Sequence, residues 1–229
     1  GRNKSAIEDH FDHSFELEST LSVKNKKQAL STVQQMMRNP GSVIYVRQQE
    51  PAGLGHAVWC ARHLAQSEPV AVLLADDLIL GRSCIGEMLS AYTGGNMVAV
   101  MDVPQSETQS YGIVTPGKDD GQLVEVAGLV EKPTPEQAPS NIAVVGRYII
   151  EPGVFTQLGQ QDRGAGGEIQ LTDSLARQIG ISPFHAFRFS GERFDCGSRI
   201  GFLQANIAFA LQRDDLNQRL YSWLAERTK

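Results

Sequence analysis

The sequence is poor in the residues that build disulfide frameworks and metal clusters. Only three of its 229 residues are cysteines, and no two of them form a Cys-x-x-Cys pair. The five histidines show no metal-binding spacing, and the hydrolase pattern Gly-x-Ser-x-Gly is absent. These absences argue against a disulfide scaffold, a zinc or redox site and a serine hydrolase. We expect Cys60, Cys84 and Cys196 to be free thiols in a reducing cytoplasm.

The chain also lacks an excess of positive charge and any long apolar run. Lys and Arg total 21 against 26 Asp and Glu, which gives a formal net charge of −5. Nucleic acids and anionic membranes attract basic patches, and a helix that spans a bilayer needs about 20 apolar residues. We therefore expect no nucleic-acid partner and no membrane association. The opening Gly1–Lys4 carries no Met and does not resemble a secretory signal.

What the chain does have is an ordinary globular composition. Hydrophobic residues make up 41% and charged residues 21%, which is enough apolar surface to bury a core. The length fits one large domain or two small ones. The 22 glycines cluster at a few loops, which suggests sharp turns around a ligand.

Helical and strand patterns alternate over the first hundred residues. The continuous apolar run Val70–Ala75 is typical of a central parallel strand that helices cover on both faces. The alternation favours an α/β sheet with right-handed crossovers. Helices are predicted over 15–37, 57–65 and 84–92, and strands over 43–46, 70–75 and 97–103.

The middle of the chain predicts strands separated by turns rich in glycine and proline, and helices return towards the end. A glycine-rich loop, Gly164–Gly167, leads into the first of the late helices, and 132–140 is a proline-rich excursion. The strands are expected over 111–115, 123–131, 143–150 and 184–190, and the helices over 168–179 and from Ser198 onward.

Two aspartates stand where predicted strands end. Asp76 follows the apolar run directly, and Asp195 lies between a strand and a helix. Open α/β sheets bind ligands at the carboxyl ends of their strands, and Mg²⁺ accepts one or two carboxylates together with phosphate oxygens. The residues alone leave two interpretations about equally open, because Asp76 and Asp195 could also cap the helices that follow them.

Two further segments offer ligand-binding groups. The glycines of Gly53–Ala57 precede a helix and let the backbone approach a flat or anionic ligand, while Gln48 and Gln49 suit the edge of a base. Glu131 can accept from sugar hydroxyls, and Lys132 can neutralise a phosphate. Each also has an ordinary explanation as a glycine turn, a solvated glutamine or an ion pair at a strand end.

Long stretches of the chain together match one family in a single order. They are 6–18 (AIEDHFDHSFELE), 46–57 (VRQQEPAGLGHA), 68–78 (EPVAVLLADDL), 111–114 (YGIV), 130–148 (VEKPTPEQAPSNIAVVGRY), 164–173 (GAGGEIQLTD) and 193–198 (RFDCGS). These stretches resemble the bacterial UTP–glucose-1-phosphate uridylyltransferases, which are sugar nucleotidyltransferases. The resemblance covers nearly the whole chain and implies a Rossmann-like mixed sheet flanked by helices.

The resemblance implies a nucleotidyl transfer in which glucose 1-phosphate attacks the α-phosphate of UTP. Pyrophosphate would leave and UDP-glucose would form, with catalysis resting on positioning and charge stabilisation. By resemblance, Asp76 and Asp195 would hold Mg²⁺ on the phosphates, and Lys132 would contact the sugar phosphate. Asp77 is expected to support Asp76 or to cap a helix rather than to bind the metal.

The same resemblance assigns the groups that bind the substrates. Gln48 and the backbone of Gly53 would read the uracil edge, and Gly112, Glu131 and the backbone of Val144 would contact the glucose hydroxyls. Residues 1–103 would form the main nucleotide-binding part, 104–190 the main sugar-binding part and 191–229 a set of C-terminal helices. The family forms homodimers or homotetramers, and these apolar helices are candidate interface material.

One feature of the family has no counterpart in this chain. Members open with a strand and a glycine-rich signature, G-x-G-T-R-x-x-P followed by Pro-Lys, whose loop wraps the triphosphate. We expect that the chain starts after the family's second strand, so that its first βαβ unit is missing, and that the parent protein is an ordinary member. The alternatives are a related enzyme that uses dTTP and an inactive paralogue that binds the sugar nucleotide and regulates a partner. The GLGHA and SNIAVVGRY stretches favour UTP.

Overall fold

A computed structural model describes residues 4–160 and 167–227, and within them ten α-helices, one 3₁₀-helix and eight strands. The α-helices are α1 Ser5–His10, α2 Phe15–Val23, α3 Lys27–Met36, α4 Leu54–Cys60, α5 Arg62–Ala65, α6 Cys84–Ala91, α7 Pro152–Gln160, α8 Leu171–Ala176, α9 Arg199–Leu211 and α10 Asn217–Arg227. The 3₁₀-helix is Gln105–Ser110. Among the helices of these residues, none combines the length and the apolar character that crossing a bilayer requires.

The strands form one large mixed sheet and one small antiparallel pair. They are β1 Val70–Leu73, β2 Asp77–Leu80, β3 Asn96–Asp102, β4 Gly112–Asp119, β5 Leu123–Glu131, β6 Ile142–Ile150, β7 Phe184–Arg188 and β8 Glu192–Asp195. The large sheet has the order β1-β6-β3-β7-β5-β4, and β2 pairs with β8. Only β3 and β7 are parallel among the described pairs, so the expected mixed α/β sheet is confirmed.

Helices cover both faces of the central strands. Along β3, Val98 and Val100 join a buried cluster with residues of α4, α7 and α8, whereas Met97 and Ala99 join a second cluster with α6. Side chains alternate between the faces of a strand, so a strand that is buried on both sides must be apolar throughout. Met88 of α6, with 0% of its surface exposed, fills the centre of the second cluster.

The apolar run at residues 70–75 does not form the central parallel strand that we predicted. β1 runs antiparallel to β6 and is the edge strand of the described sheet. Leu73 is 51% exposed. An apolar run records the preference of its side chains for burial, but it does not identify how many strands lie beside it or in which direction they run.

Two other predictions near the beginning of the chain are wrong. The segment Val43–Val46 forms no strand, because its backbone pairs with no strand of the described residues, and its side chains are exposed. The helix predicted over 15–37 is broken into α2 and α3. Asn25 lies in the break with a φ of 54°, a left-handed conformation that asparagine tolerates better than most residues.

Most of the later elements are confirmed with small shifts in their ends. β5 has the predicted bounds, and β3, β4, β6, β7, α6 and α9 lie where strands or helices were expected. The helix expected over 57–65 is divided between α4 and α5, and α8 is shorter than the predicted 168–179. The short strands β2 and β8 were not predicted. In the predicted loop Gly164–Gly167, residues 164–166 lie outside the described residues.

Candidate active site

A cavity of about 450 Å³ opens beside β6 and the β2–β8 pair. Its wall combines the turn before β2, the start of β4, the end of β5, alternate residues of β6, the start of α8 and the end of β8. Six of the predicted site residues line it, and they come from five separate segments of the chain: Asp76, Gly112, Glu131, Lys132, Val144 and Asp195.

Asp76 and Asp195 point their carboxylates toward one small region. Asp76 lies in the turn before β2, where its carbonyl accepts a hydrogen bond of 2.7 Å from the amide of Cys196. A Cβ atom built on Gly197 would lie 3.0 Å from Asp195 Oδ1 and 3.5 Å from Asp76 Oδ2. Both carboxylates therefore flank the same space, although 76 and 195 are far apart in sequence.

This pair of carboxylates fits a divalent cation that is shared with phosphates. Within residues 4–160 and 167–227, no group of three or more His, Cys, Asp or Glu side chains is arranged to hold a metal. Asp76 and Asp195 alone would leave most coordination positions of a cation to substrate oxygens and water. Hard cations such as Mg²⁺ favour that arrangement of one or two carboxylates with phosphate oxygens.

Asp77 does not cap a helix, as one of our interpretations had it. It is 5% exposed and begins β2 directly opposite Asp195 in the antiparallel pair. Its Oδ2 accepts a hydrogen bond of 2.8 Å from the amide of Gly146, and its Oδ1 accepts from Arg193. Both oxygens are engaged by the protein, so Asp77 supports the cavity wall and does not offer a free carboxylate.

Arg193 belongs to the cavity, and our sequence reasoning did not single it out. Its side chain is 10% exposed, and its Nη1 donates a hydrogen bond of 3.1 Å to the Tyr111 hydroxyl. Burial disfavours its charge, but Asp77 and Tyr111 outweigh burial, so the pKa of Arg193 lies above its ordinary value. In β8, Arg193 lies two residues before Asp195 and thus on the same face of the strand, but this relation becomes visible only once β8 is known.

Glu131 and Lys132 also line the cavity. Glu131 pairs with Gly112 across β4 and β5, and a Cβ atom on Gly112 would lie 3.2 Å from Glu131 Oε2. Lys132 has a φ of 46°, and its amide donates a bond of 2.9 Å to the carbonyl of Tyr111. Its Nζ lies 3.9 Å from Glu131 Oε1, and its side chain is 58% exposed. The ammonium is therefore near Glu131 and still open to a ligand.

Alternate residues of β6 form the floor of the cavity. Val144, Gly146 and Tyr148 line it, which follows from the two-residue period of a strand. Burial first, and then the charges of Glu131 and Asp77, raise the pKa of Tyr148. Its hydroxyl therefore stays protonated, and Tyr148 is a second lining residue that we did not predict.

Gln48 and Gly53 meet beside the cavity rather than in its described lining. Gly53 has a φ of 103°, and a Cβ atom there would lie 2.8 Å from the carbonyl oxygen of Ile169, so only glycine fits. Gln48 Nε2 donates a bond of 3.0 Å to the Gly53 carbonyl and lies 3.1 Å from His56 Nδ1. Leu54, the next residue after Gly53, lines the cavity.

Comparison with known proteins yields a consistent set of similarities. Residues 10–210 match the family model for nucleotidyl transferases. A UTP–glucose-1-phosphate uridylyltransferase of Komagataeibacter xylinus is 48% identical over 202 residues, which are 87% of this chain and 71% of that protein.

Two solved structures are similar to this chain. A UTP-bound UDP-glucose pyrophosphorylase of Acinetobacter baumannii superposes with a TM-score of 0.87 at 35% identity, covering 98% of this chain and 80% of its own. A UDP-glucose pyrophosphorylase in complex with UDP-glucose gives a TM-score of 0.83 at 37% identity, covering 93% and 79%.

Proposed function

The chain belongs to the nucleotidyl transferase family and, within it, to the UTP–glucose-1-phosphate uridylyltransferases, and from that premise we propose how its cavity forms UDP-glucose. The observation that carries the proposal is the arrangement of the cavity walls. Two converging carboxylates, Asp76 and Asp195, and the neighbouring pair Glu131 and Lys132 line the same cavity. Such a cavity offers separate places for a metal-bound triphosphate and for a sugar phosphate.

On the nucleotide side, Asp76 and Asp195 would hold Mg²⁺. When bound, Mg²⁺ supplies positive charge that neutralises the phosphate oxygens as the phosphoryl bond changes partners. Gln48 would accept from the uracil N3–H through its side-chain carbonyl, because its amide nitrogen already faces Gly53 and His56. The backbone of Gly53 would complete the contact with the base, since no side chain blocks its approach.

On the sugar side, Glu131 would accept from glucose hydroxyls, and the backbones of Gly112 and Val144 would contact the same ring. Lys132 would hold the attacking phosphate close to the α-phosphate of UTP. Positioning of this kind lowers the barrier because the two anionic reactants are brought together and their repulsion is offset by fixed charge.

The chain as a whole is divided between nucleotide binding and sugar binding in the same way as the cavity. We propose that residues 1–103 mainly bind nucleotide, that 104–190 mainly bind sugar, and that the C-terminal helices within 191–229 mediate a homodimer or homotetramer. Ile200, Phe202 and Leu203 of α9 are each more than half exposed, which supports an interface there. Three free thiols are consistent with a cytoplasmic enzyme.

The experiment is a pyrophosphate-release assay with glucose 1-phosphate and either UTP or dTTP in the presence of Mg²⁺. We expect turnover with UTP, a clear preference over dTTP and a loss of at least ~100-fold in kcat for Asp195→Asn with an unchanged melting temperature. A preference for dTTP would contradict the uridylyl assignment. Binding of UDP-glucose without pyrophosphate release would indicate an inactive sugar-nucleotide-binding protein instead.

A further inference from the structure

A buried ion pair joins strands β2 and β8 next to the proposed metal-binding carboxylates. Asp77 follows Asp76 directly, and Arg193 precedes Asp195 by two residues. Arg193 binds Asp77 through both Nε and Nη2, and their side chains are only 10% and 7% exposed. The pair therefore fixes β2 against β8 at the point where Asp76 and Asp195 converge on Gly197.

The same guanidinium also contacts Tyr111, which adjoins the proposed sugar-side residues. Its Nη1 donates to the hydroxyl of Tyr111, and its Cζ lies 5.4 Å from the centre of that ring. Tyr111 in turn holds Lys132 through the bond from the Lys132 amide to its carbonyl. Tyr111 also precedes Gly112, so a single hydrogen bond links Arg193 to the segment next to Gly112 and Lys132.

We infer that Arg193 is a positioning residue that keeps the two metal-binding carboxylates and the Tyr111–Lys132 turn at a fixed mutual distance. This inference rests on the proposed function, because it takes Asp76, Asp195 and Lys132 in the roles given above. Arg193 acts through Asp77 and Tyr111 and is not assigned a contact with substrate.

A purely stabilising role is a poor explanation for this ion pair. Desolvating two charges costs about as much free energy as their attraction returns, so apolar residues of similar volume would serve stability equally well. The backbone of the turn before β2 has its own support, since Arg147 donates a bond of 3.0 Å to the carbonyl of Leu74. What the Arg193–Asp77 pair adds is the relative placement of charged groups around one cavity.

The first measurement is the affinity of the purified protein for Mn²⁺ in the presence of UDP-glucose. The EPR signal of free Mn²⁺ reports how much of the ion is bound. We expect Arg193→Met to weaken Mn²⁺ binding by ~10- to 100-fold, the range seen when a supporting partner of a metal ligand is removed. The Mn²⁺ affinity of Arg193→Lys should lie between those of Arg193→Met and the wild type, because an ammonium can pair with Asp77 but cannot reach Tyr111 at the same time.

A second variant separates positioning from folding. Arg193→Met leaves the Asp77 charge buried without its partner, so this protein is expected to melt at a lower temperature. The double variant Asp77→Asn/Arg193→Met removes both charges and keeps an oxygen for the amide of Gly146. We expect it to regain most of the melting temperature while Mn²⁺ binding stays weak. If Mn²⁺ binding returns together with stability, Arg193 has only a structural role.

The sugar side is tested with Tyr111→Phe, which removes the acceptor of Arg193 Nη1 and leaves the pair with Asp77 intact. We expect a KM for glucose 1-phosphate that rises several-fold while Mn²⁺ binding stays within twofold. Equal KM values for Tyr111→Phe and the wild type would overturn the link from Arg193 to Lys132.

A matched control is Arg188→Met. Arg188 also holds an aspartate with two nitrogens, at 3.0 and 3.1 Å from Asp119, but it lies outside the lining of the cavity. Mn²⁺ binding should be unchanged in this variant. Asp195→Asn separates a failure of the proposed metal site from a failure of the inference about Arg193. If Asp195→Asn leaves Mn²⁺ binding intact, the proposed metal site is wrong. If Asp195→Asn weakens Mn²⁺ binding and Arg193→Met does not, only the inference about Arg193 is contradicted.

Discussion

Lys132 combines a strained backbone with an exposed cation at the edge of the cavity. Its φ of 46° is the left-handed conformation that glycine adopts freely and lysine adopts at a cost of about 1 kcal/mol or more. The hydrogen bond from its amide to the Tyr111 carbonyl holds that conformation. The strained residue is thus the one whose side chain we assign to the sugar phosphate.

Replacing Lys132 tests that assignment. We expect Lys132→Ala to raise the KM for glucose 1-phosphate by about 10- to 100-fold, because a charge-assisted bond to phosphate contributes about 1.5–3 kcal/mol. The KM for UTP should change by less than about twofold. Steady-state kinetics with each substrate varied in turn measures both values, and equal losses for the two substrates would argue against the assignment.

Two controls accompany this variant. Lys118→Ala removes an exposed lysine on β4 that lies outside the cavity lining, and it should leave both KM values unchanged. Lys132→Gly removes the cation together with the backbone strain, so its free energy of unfolding, measured with urea, should exceed that of Lys132→Ala by about 1 kcal/mol.

Single residues also show how far the site was predictable from the sequence. Asp76 and Asp195 stood at strand ends, where ligands bind in α/β sheets, and the structure brings both to one cavity. The partners of Asp77 were not predictable. Its burial depends on Arg193 and Gly146, and these become its neighbours only after the four-residue strands β2 and β8 have paired.

At the scale of elements, a small polar cluster joins the end of α6, the start of β3 and the end of β6. The Tyr92 hydroxyl lies 2.8 Å from the carbonyl oxygen of Gly95 and 3.1 Å from Glu151 Oε1. The amide of Gly95 donates to the same Glu151 oxygen at 3.0 Å. Burial, followed by the hydrogen bond and the charge of Glu151, raises the pKa of Tyr92 to about 12.

This cluster predicts a loss of stability at alkaline pH. The native state keeps the Tyr92 proton up to about pH 12, whereas the unfolded chain releases it near the ordinary pKa of 10.0. The contribution is fully present below pH 10, and it is lost as the pH rises towards 12. Urea unfolding at pH 8, 10 and 11 should therefore show a smaller decline for Tyr92→Phe than for the wild type. Tyr221→Phe, at a tyrosine that is 70% exposed, should follow the wild type; an unchanged slope in Tyr92→Phe would contradict the prediction.

The elements that could be predicted are those whose surroundings leave a clear pattern. β3, β5 and β6 contain apolar residues at nearly every buried position, and the turns between them contain glycine or proline. β1 has the same apolar character, yet its place at the edge depends on which strands lie beside it. Strand order is a property of the whole sheet, and no local window of sequence contains it.

At the scale of the whole molecule, the last two helices leave apolar side chains uncovered. Ile200 is 63% exposed and Leu203 is 57% exposed on α9, and Tyr221 is 70% exposed on α10. Exposed apolar side chains on two helices that contact each other are typical of an interface between protein chains. Ile200, Leu203 and Tyr221 do not line the cavity, so association through them would not use the residues assigned to the substrates.

Self-association is therefore expected and can be disrupted at one surface. The double variant Ile200→Asp/Leu203→Asp should sediment as a monomer at micromolar concentration, because a charge is costly to bury in an apolar interface. Sedimentation velocity measures the change. Val23→Asp is the control, since Val23 is 81% exposed on α2 and should not alter the sedimentation coefficient. A wild-type protein that sediments as a monomer would contradict the proposed oligomer.

Strand β6 makes substrate choice and stability depend on some of the same residues. Val144 and Tyr148 line the cavity and also belong to the buried cluster that packs against α4, α7 and α8. Gly146 lines the cavity too, and a Cβ atom there would collide with Asp77 Oδ2. A combinatorial library that seeks new sugar specificities at Val144 and Tyr148 would therefore have to be screened for heat tolerance at the same time, whereas Ala143, Val145 and Ile149 pack into other clusters and can be varied for stability alone.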